Sequence, residues 1–294
     1  MIVVTAPTGQ IGSQLVKNLL AANEAVRVIV RDPAKLSADV REKVESAQGS
    51  HGDAAVVKQA FRGADAVFWL PPPDPKAKSV EAAYVDFSRP ACDAFRSEGV
   101  KHVVGVSSLG RGKPQARNAG QITASLAMDD LIASTGVAYR ALAMPSFMDN
   151  TLRQVATIKG QGVFASPIPG DLKAATCATR DIAAVAAKLL IDRSWSGTGE
   201  VPVLGPEDLS FNDMARIMSE VLGKPVRFKE MPDGALKSGL LARGHSEAMA
   251  QATVDLMLAV KGGIYSNEPR TPESTTPTSF HQWCEEVLKL AVLG

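Results

Sequence analysis

Residues Thr5-Ala-Pro-Thr-Gly-Gln-Ile-Gly12 bring two glycines and a run of backbone N–H groups into one short turn. The turn stands between a β-branched run at 1–5 and a segment, 11–22, in which Ile11, Leu15, Val16, Leu19 and Leu20 recur at helical spacing. A strand that enters a helix through such a turn is the setting in which a dinucleotide fingerprint works, and that setting separates it from a plain strand-to-helix turn. Gly9 lets the backbone come into contact with a pyrophosphate, and Gly12 lets the helix pack closely on a sheet. The N–H groups from Gln10 to Gly12 aim partial positive charge at the anion. The usual pattern has its first glycine where this chain has Ala6 followed by Pro7. Proline donates no N–H and favours an extended conformation in the residue before it, so an extended Ala6 and one phosphate donor fewer are predicted.

Arg31 directly follows the second apolar run, 26–30, where dinucleotide-binding folds usually place an acidic residue on the ribose 2′-hydroxyl. A cation there suits a 2′-phosphate, through charge-assisted hydrogen bonds of about 1.5–3 kcal/mol. NADP(H) is therefore favoured over NAD(H). Two other readings of these residues stand beside it: a surface arginine paired with Asp32, and an Asp32 that itself reaches a ribose.

The elements that must position these residues alternate. Apolar runs at 65–70, 100–106 and 137–144 follow helical segments, as 26–30 does, and strands separated by helices at this spacing form a parallel sheet with right-handed crossovers. The predicted fold is α/β, a Rossmann-type doubly wound parallel sheet with a smaller α/β C-terminal lobe. An NAD(P)-binding domain over 1–150, its sheet completed by segments after 175, precedes a discontinuous substrate or partner lobe over 151–294. In that lobe Thr179 or Asp181 is a candidate cap for an apolar helix at 182–191. Ser210 and Asp213 have capping-box spacing before a helix that Gly223 ends, and 226–229 is a short strand.

Length and composition agree with this. The 294 residues suit two units at roughly 150 residues each, and 45% hydrophobic with 21% charged residues is the make-up of an ordinary globular protein. Thirty-two Lys+Arg against thirty-one Asp+Glu leave a net charge of +1, which speaks against a nucleic-acid-binding surface. Cys92, Cys177 and Cys284 are scattered, so neither a disulfide framework nor a metal site is expected. With no basic region ahead of the apolar opening residues and no apolar stretch near the ~20 residues of a membrane span, a cytoplasmic protein with no membrane or nucleic-acid partner is expected.

Over nearly its whole length the chain resembles the NmrA-like, atypical short-chain dehydrogenase/reductase family. The residues that carry the likeness begin with Thr8-Gly-Gln-Ile-Gly12, Val30-Arg-Asp-Pro33, and Gly49 and Asp53 ahead of Gly63-Ala-Asp65. They continue with Val106-Ser-Ser-Leu-Gly110, Ser146-Phe-Met-Asp-Asn150 and Gly205-Pro-Glu-Asp-Leu-Ser210. The resemblance implies that Thr8, Gly9, Gln10, Ile11 and Gly12 form the pyrophosphate loop, that Arg31 meets the 2′-phosphate, and that Leu70, Pro71 and Ser107 flank the ribose and nicotinamide. Ser50 stands where the family often has an aspartate near the adenine, leaving a hydroxyl contact at best, and Asp53 is expected to cap the next helix.

Members of this family are NADPH-dependent reductases of quinones, imines and related acceptors, or cofactor-sensing proteins without turnover. The wider superfamily uses a tyrosine with a lysine four residues on, the lysine easing proton donation by the phenol. Here the residues four on from Tyr84, Tyr139 and Tyr265 are Ser88, Ala143 and Pro269, and no lysine lies between Lys113 and Lys159. The identity of a catalytic residue is therefore left open. Ser107 or Ser108 takes the place of the superfamily serine but lacks the partners of the usual relay. Hydride transfer to a quinone needs no such relay, since positioning suffices and water can protonate the oxygen. Trp69, Pro72, Phe147 and Met148 could wall a pocket for a flat apolar acceptor, with core packing the alternative for each. The four histidines are expected on the surface or in packing roles. Two functions follow: an NADPH-dependent oxidoreductase acting on a small-molecule acceptor, or an NADP(H) sensor acting through a protein partner.

Overall fold

The computed structural model describes every residue except Pro73 and Asp233. Twelve strands follow in chain order: β1 (Ile2–Val4), β2 (Val26–Val30), β3 (Glu45–Gln48), β4 (Ala66–Trp69), β5 (His102–Ser108), β6 (Ala138–Met144), β7 (Ser146–Phe147), β8 (Val163–Ser166), β9 (Ala174–Cys177), β10 (Thr198–Pro202), β11 (Asp208–Leu209) and β12 (Arg227–Glu230). The chain divides into two interleaved units. The first comprises Met1–Ser108, Ala124–Ala143 and Ile182–Val201, the second Leu109–Thr123, Met144–Asp181 and Pro202–Gly294.

The first unit is built on a seven-stranded sheet of order β3-β2-β1-β4-β5-β6-β10, the doubly wound arrangement in which strand order reverses at β1. β1 runs parallel to β2 and β4, β2 to β3, and β4 to β5. Central strands of such a sheet are covered on both faces and so read as unbroken apolar runs. Every residue of β1 and β4 is buried. The edge strand β3 is the opposite case: Glu-Ser-Ala-Gln buries Ala47 alone, which hides it from any search for apolar periodicity. The core around the sheet holds stacked Phe61 and Phe95 rings, 5.1 Å apart, together with Trp69, Met128 and Tyr139.

The second unit has a three-stranded sheet, β11-β9-β7, and a parallel pair, β8 with β12. Its core is Phe164, Met218, Phe280 and Trp283 among others, with the helix Phe211–Leu222 laying Met214, Ile217, Met218 and Val221 into it. That helix starts with the predicted capping box of Ser210 and Asp213, and Gly223 ends it with φ +64°. The next helix boundary differs from expectation. The helix Thr179–Ile191 already includes Thr179 and Asp181, and its cap comes from elsewhere: Asp149 accepts from Thr179 N (3.0 Å) and from Thr179 Oγ1 (2.8 Å). Asp181 instead holds a loop, accepting from Thr278 N (3.1 Å) and Oγ1 (2.8 Å). Among the described residues no helix is long and apolar enough to cross a membrane.

Candidate functional site

The loop after β1 lies beside the reversal of strand order, where sheets of this kind leave a crevice at their C-terminal edge. Thr5 ties its base to the neighbouring strand, donating from Oγ1 to Phe68 O (3.0 Å) and accepting from Leu70 N (2.9 Å). Ala6 is left-handed, φ +50°, not extended as the following proline led us to predict. The turn overrides the local preference: Ala6 O accepts from Gly9 N (3.0 Å), and closing that turn outweighs the ~1–2 kcal/mol that a left-handed alanine costs.

The two glycines then do different things. A Cβ at Gly12 would stand 2.1 Å from Ala6 O, so its bare Cα is what allows the helix to start against the loop backbone. A Cβ at Gly9 would meet Ala6 O at an ordinary 3.4 Å, so folding does not demand that glycine. Gly9 is the N-cap of the helix Gln10–Ala21, which has no side-chain cap and no acidic residue in its first turn. The N–H groups of Gln10, Ile11 and Gly12 have no acceptor among the described residues. Helix starts normally satisfy these donors, and an uncapped one beside an exposed Thr8 and Gln10 fits a bound phosphate group.

Arg31 is exposed at the end of β2, and its guanidinium makes no hydrogen bond or ion pair among the described residues. Asp32 is not its partner. It caps the following turn, Oδ1 accepting from Ala34 N at 3.0 Å. Beyond β3, Ser50 is exposed and accepts from Gly52 N (3.2 Å), while Asp53 caps the helix Ala54–Phe61 as expected. His51 is a buried histidine. Its Nε2 meets Leu70 O at 3.1 Å, and its ring packs edge-on against Phe87 (5.1 Å) and Trp69 (5.4 Å). Burial, with the charge of Arg31 adding, lowers its pKa to about 4. Leu70 is half-buried and Pro71 buried at the end of β4.

Ser107, at the end of β5, has partners that no spacing rule pointed to. Its Oγ donates to Asp129 Oδ2 and lies 3.3 Å from Ser125 Oγ, while Tyr139 OH donates to Asp129 Oδ1 at 2.6 Å. Asp129 is 2% exposed and Ser107 7%. The tyrosine that lacks a lysine thus sits on a buried carboxylate, packed so closely over β5 that a Cβ at Gly105 would come within 2.2 Å of its hydroxyl. With its proton engaged by Asp129, Ser107 Oγ has lone pairs to offer, so it can accept a hydrogen bond from a ribose hydroxyl or an amide. The available signal was Ser125 and Asp129, one helical turn apart on a helix that also carries Gln121, Thr123 and Asp130.

The four residues named for an acceptor pocket do not share one setting. Trp69 is fully buried in the first unit, its Nε1 donating to Ser88 Oγ at 2.9 Å, and Pro72 is exposed. Met148 belongs to the core of the second unit. Phe147 lines a cavity within that unit.

A family model described as NAD(P)H-binding matches residues 7–193. The chain belongs to the NAD(P)H-binding family. A (4-alkanoyl-5-oxo-2,5-dihydrofuran-3-yl)methyl phosphate reductase of Streptomyces griseus is 32% identical over 97% of this chain and 97% of its own. Quinone oxidoreductase 2 of Escherichia coli is 24% identical over 91% of each chain. Among solved structures, Citrobacter triphenylmethane reductase complexed with NADP(H) superposes with a TM-score of 0.79 at 20% identity, over 99% of this chain and 100% of that one. That last likeness shows the fold. For this NAD(P)H-binding chain it agrees with the strand order of the seven-stranded sheet.

Proposed function

We propose that the protein is an NADPH-dependent oxidoreductase that reduces a small electrophilic acceptor such as a quinone, without a Tyr–Lys pair. The observation that carries this is the paired arrangement at the C-terminal edge of the sheet: helix N–H groups at Gln10–Gly12 and a guanidinium at Arg31 that have no partner among the described residues. A dinucleotide with a 2′-phosphate would place one anion at each. The names of the curated relatives, a butenolide phosphate reductase and a quinone oxidoreductase, support a reductase.

NADPH, when bound, supplies the hydride. The chain's own part is to hold and orient. Gly9 admits the pyrophosphate to the backbone, the N–H groups of Gln10, Ile11 and Gly12 bind it, and Arg31 binds the 2′-phosphate. Ser50, Leu70 and Pro71 border the nucleoside portions. Asp129 fixes Ser107 as an acceptor of hydrogen bonds rather than as a proton donor, so the one proton that must accompany the hydride comes from water. An electrophilic quinone tolerates this, because after hydride arrives its oxygen needs no acid stronger than solvent.

The test is NADPH oxidation by the purified chain with a panel of quinones, dyes and imines, monitored at the cofactor absorbance with product identified. One hydroquinone formed per NADPH consumed is the expected result. Absence of turnover across the panel overturns the proposal. Tight NADPH binding that then differs between the oxidised and reduced cofactor would leave a sensor, since a ligand shifts a protein only by its differential affinity.

A further inference from the structure

Leu70 is the first residue beyond the ladder of its strand, since the pairing of β4 with β5 ends at Trp69 and Gly105. Both of its backbone groups are nevertheless met, each by a side chain from a different loop. Thr5, at the foot of the phosphate loop, accepts from Leu70 N at 2.9 Å through Oγ1. His51, in the loop after β3, meets Leu70 O with Nε2 at 3.1 Å. Burial holds the imidazole neutral down to a pKa of about 4, so the ring carries one N–H. A carbonyl oxygen can only accept, which puts that proton on Nε2 and makes His51 the donor.

The loop that presents His51 is itself fixed. Gly49 N donates to Val30 O at the end of β2 (3.0 Å), and Asp53 N donates to Ser50 O (3.0 Å). Gly52 lies flat on Phe87, where a Cβ would stand 2.5 Å from the ring. The imidazole, 7% exposed, packs edge-on against both Phe87 and Trp69. An apolar side chain would fill that place without giving up any hydration, so packing alone does not call for a histidine. What the imidazole adds is one N–H on the end of β4.

The crevice of a doubly wound sheet opens outside the strand ends where the order reverses, here those of β1 and β4. Thr5 and His51 therefore tie one edge of that crevice to the loops after β1 and β3. In the NADPH site proposed above, on which this rests, Leu70 borders the nicotinamide ribose and Ser50 the adenosine. We infer that His51 is a positioning residue for the dinucleotide, its Nε2–H holding the strand end beside the nicotinamide half at a fixed spacing from the loop beside the adenosine half. With that bond gone, the adenosine half still finds its own loop. The linked molecule then has to order the strand end as it binds, and that cost comes out of its affinity.

The experiment is calorimetric titration of the full chain, as wild type, His51→Leu and His51→Gln, with NADPH and with 2′,5′-ADP, the adenosine half that carries the 2′-phosphate. In His51→Leu the affinity for NADPH should fall about threefold to tenfold, the worth of one neutral hydrogen bond, with 2′,5′-ADP bound as by wild type. His51→Gln puts an amide N–H where Nε2 stood and should restore NADPH binding. Heteronuclear NMR of the imidazole in wild type needs no variant, and should show Nε2 protonated and Nδ1 bare both with and without NADPH. Equal NADPH affinity in wild type and His51→Leu, an equal loss for NADPH and 2′,5′-ADP, failure of the glutamine to restore binding, or the opposite tautomer would each overturn the inference and leave the NADPH site standing. A wild type that binds no NADPH would overturn the site and the inference together.

Discussion

At the scale of the residue, the cofactor choice we propose rests on the guanidinium of Arg31. Asp32 is engaged with Ala34 N, and no carboxylate neutralises the arginine among the described residues. Arg31→Asp should therefore weaken NADPH by about tenfold or more, the loss of a charge-assisted contact with a like charge put in its place, and leave NADH nearly unchanged. Titration of both cofactors by fluorescence checks this. An equal loss for both would remove Arg31 from the 2′-phosphate. Ser107 shows the opposite kind of residue, one whose chemistry depends on neighbours far along the chain. The family resemblance implies a place for it beside the nicotinamide, and Asp129, which also holds Tyr139, takes up its proton so that its oxygen is left to accept.

At the scale of the element, the loop and first helix form one device in which sequence spacing fixed the positions and packing reassigned the roles. Gly12 is held by the backbone of Ala6, while Gly9 is free of any such demand. Gly12→Ala should cost about 3 kcal/mol of stability, the upper end of overpacking, because a backbone carbonyl cannot rotate away as a side chain can. Gly9→Ala should fold with near wild-type stability and lose NADPH affinity instead. Denaturant unfolding and cofactor titration of the two variants separate these outcomes, and equal destabilisation by both would show that the loop is held otherwise. The elements legible in the sequence were the buried ones: β1, β2 and β4 through β6 announce themselves by apolar runs. Polar β3 stayed hidden at the sheet edge. So did the Asp149 cap, because a capping side chain 30 residues upstream leaves no local pattern.

For the whole molecule, a buried histidine makes stability depend on pH. The unfolded chain takes up a proton on His51 near pH 6.5 and the folded chain only near 4, so the group's contribution is complete above pH 6.5 and is lost as pH falls toward 4. The loss amounts to about 3 kcal/mol by pH 4. Melting temperatures of wild type should drop more steeply between pH 7 and 4.5 than those of His51→Gln. Parallel curves would show that His51 titrates normally in the folded state. The near-neutral net charge, +1, has its counterpart in a positive charge set locally at Arg31. The sequence by itself determined the sheet, its dinucleotide-binding loop and the cation after β2, because each follows from neighbours within a few residues. Only the tertiary structure decided that Ala6 turns left-handed, that Ser107 and Tyr139 meet on Asp129, and that His51 is buried. The physical reason is that periodicity reports which face of an element is apolar, whereas which polar groups meet, or are left unmet, is fixed by packing between segments distant in the chain.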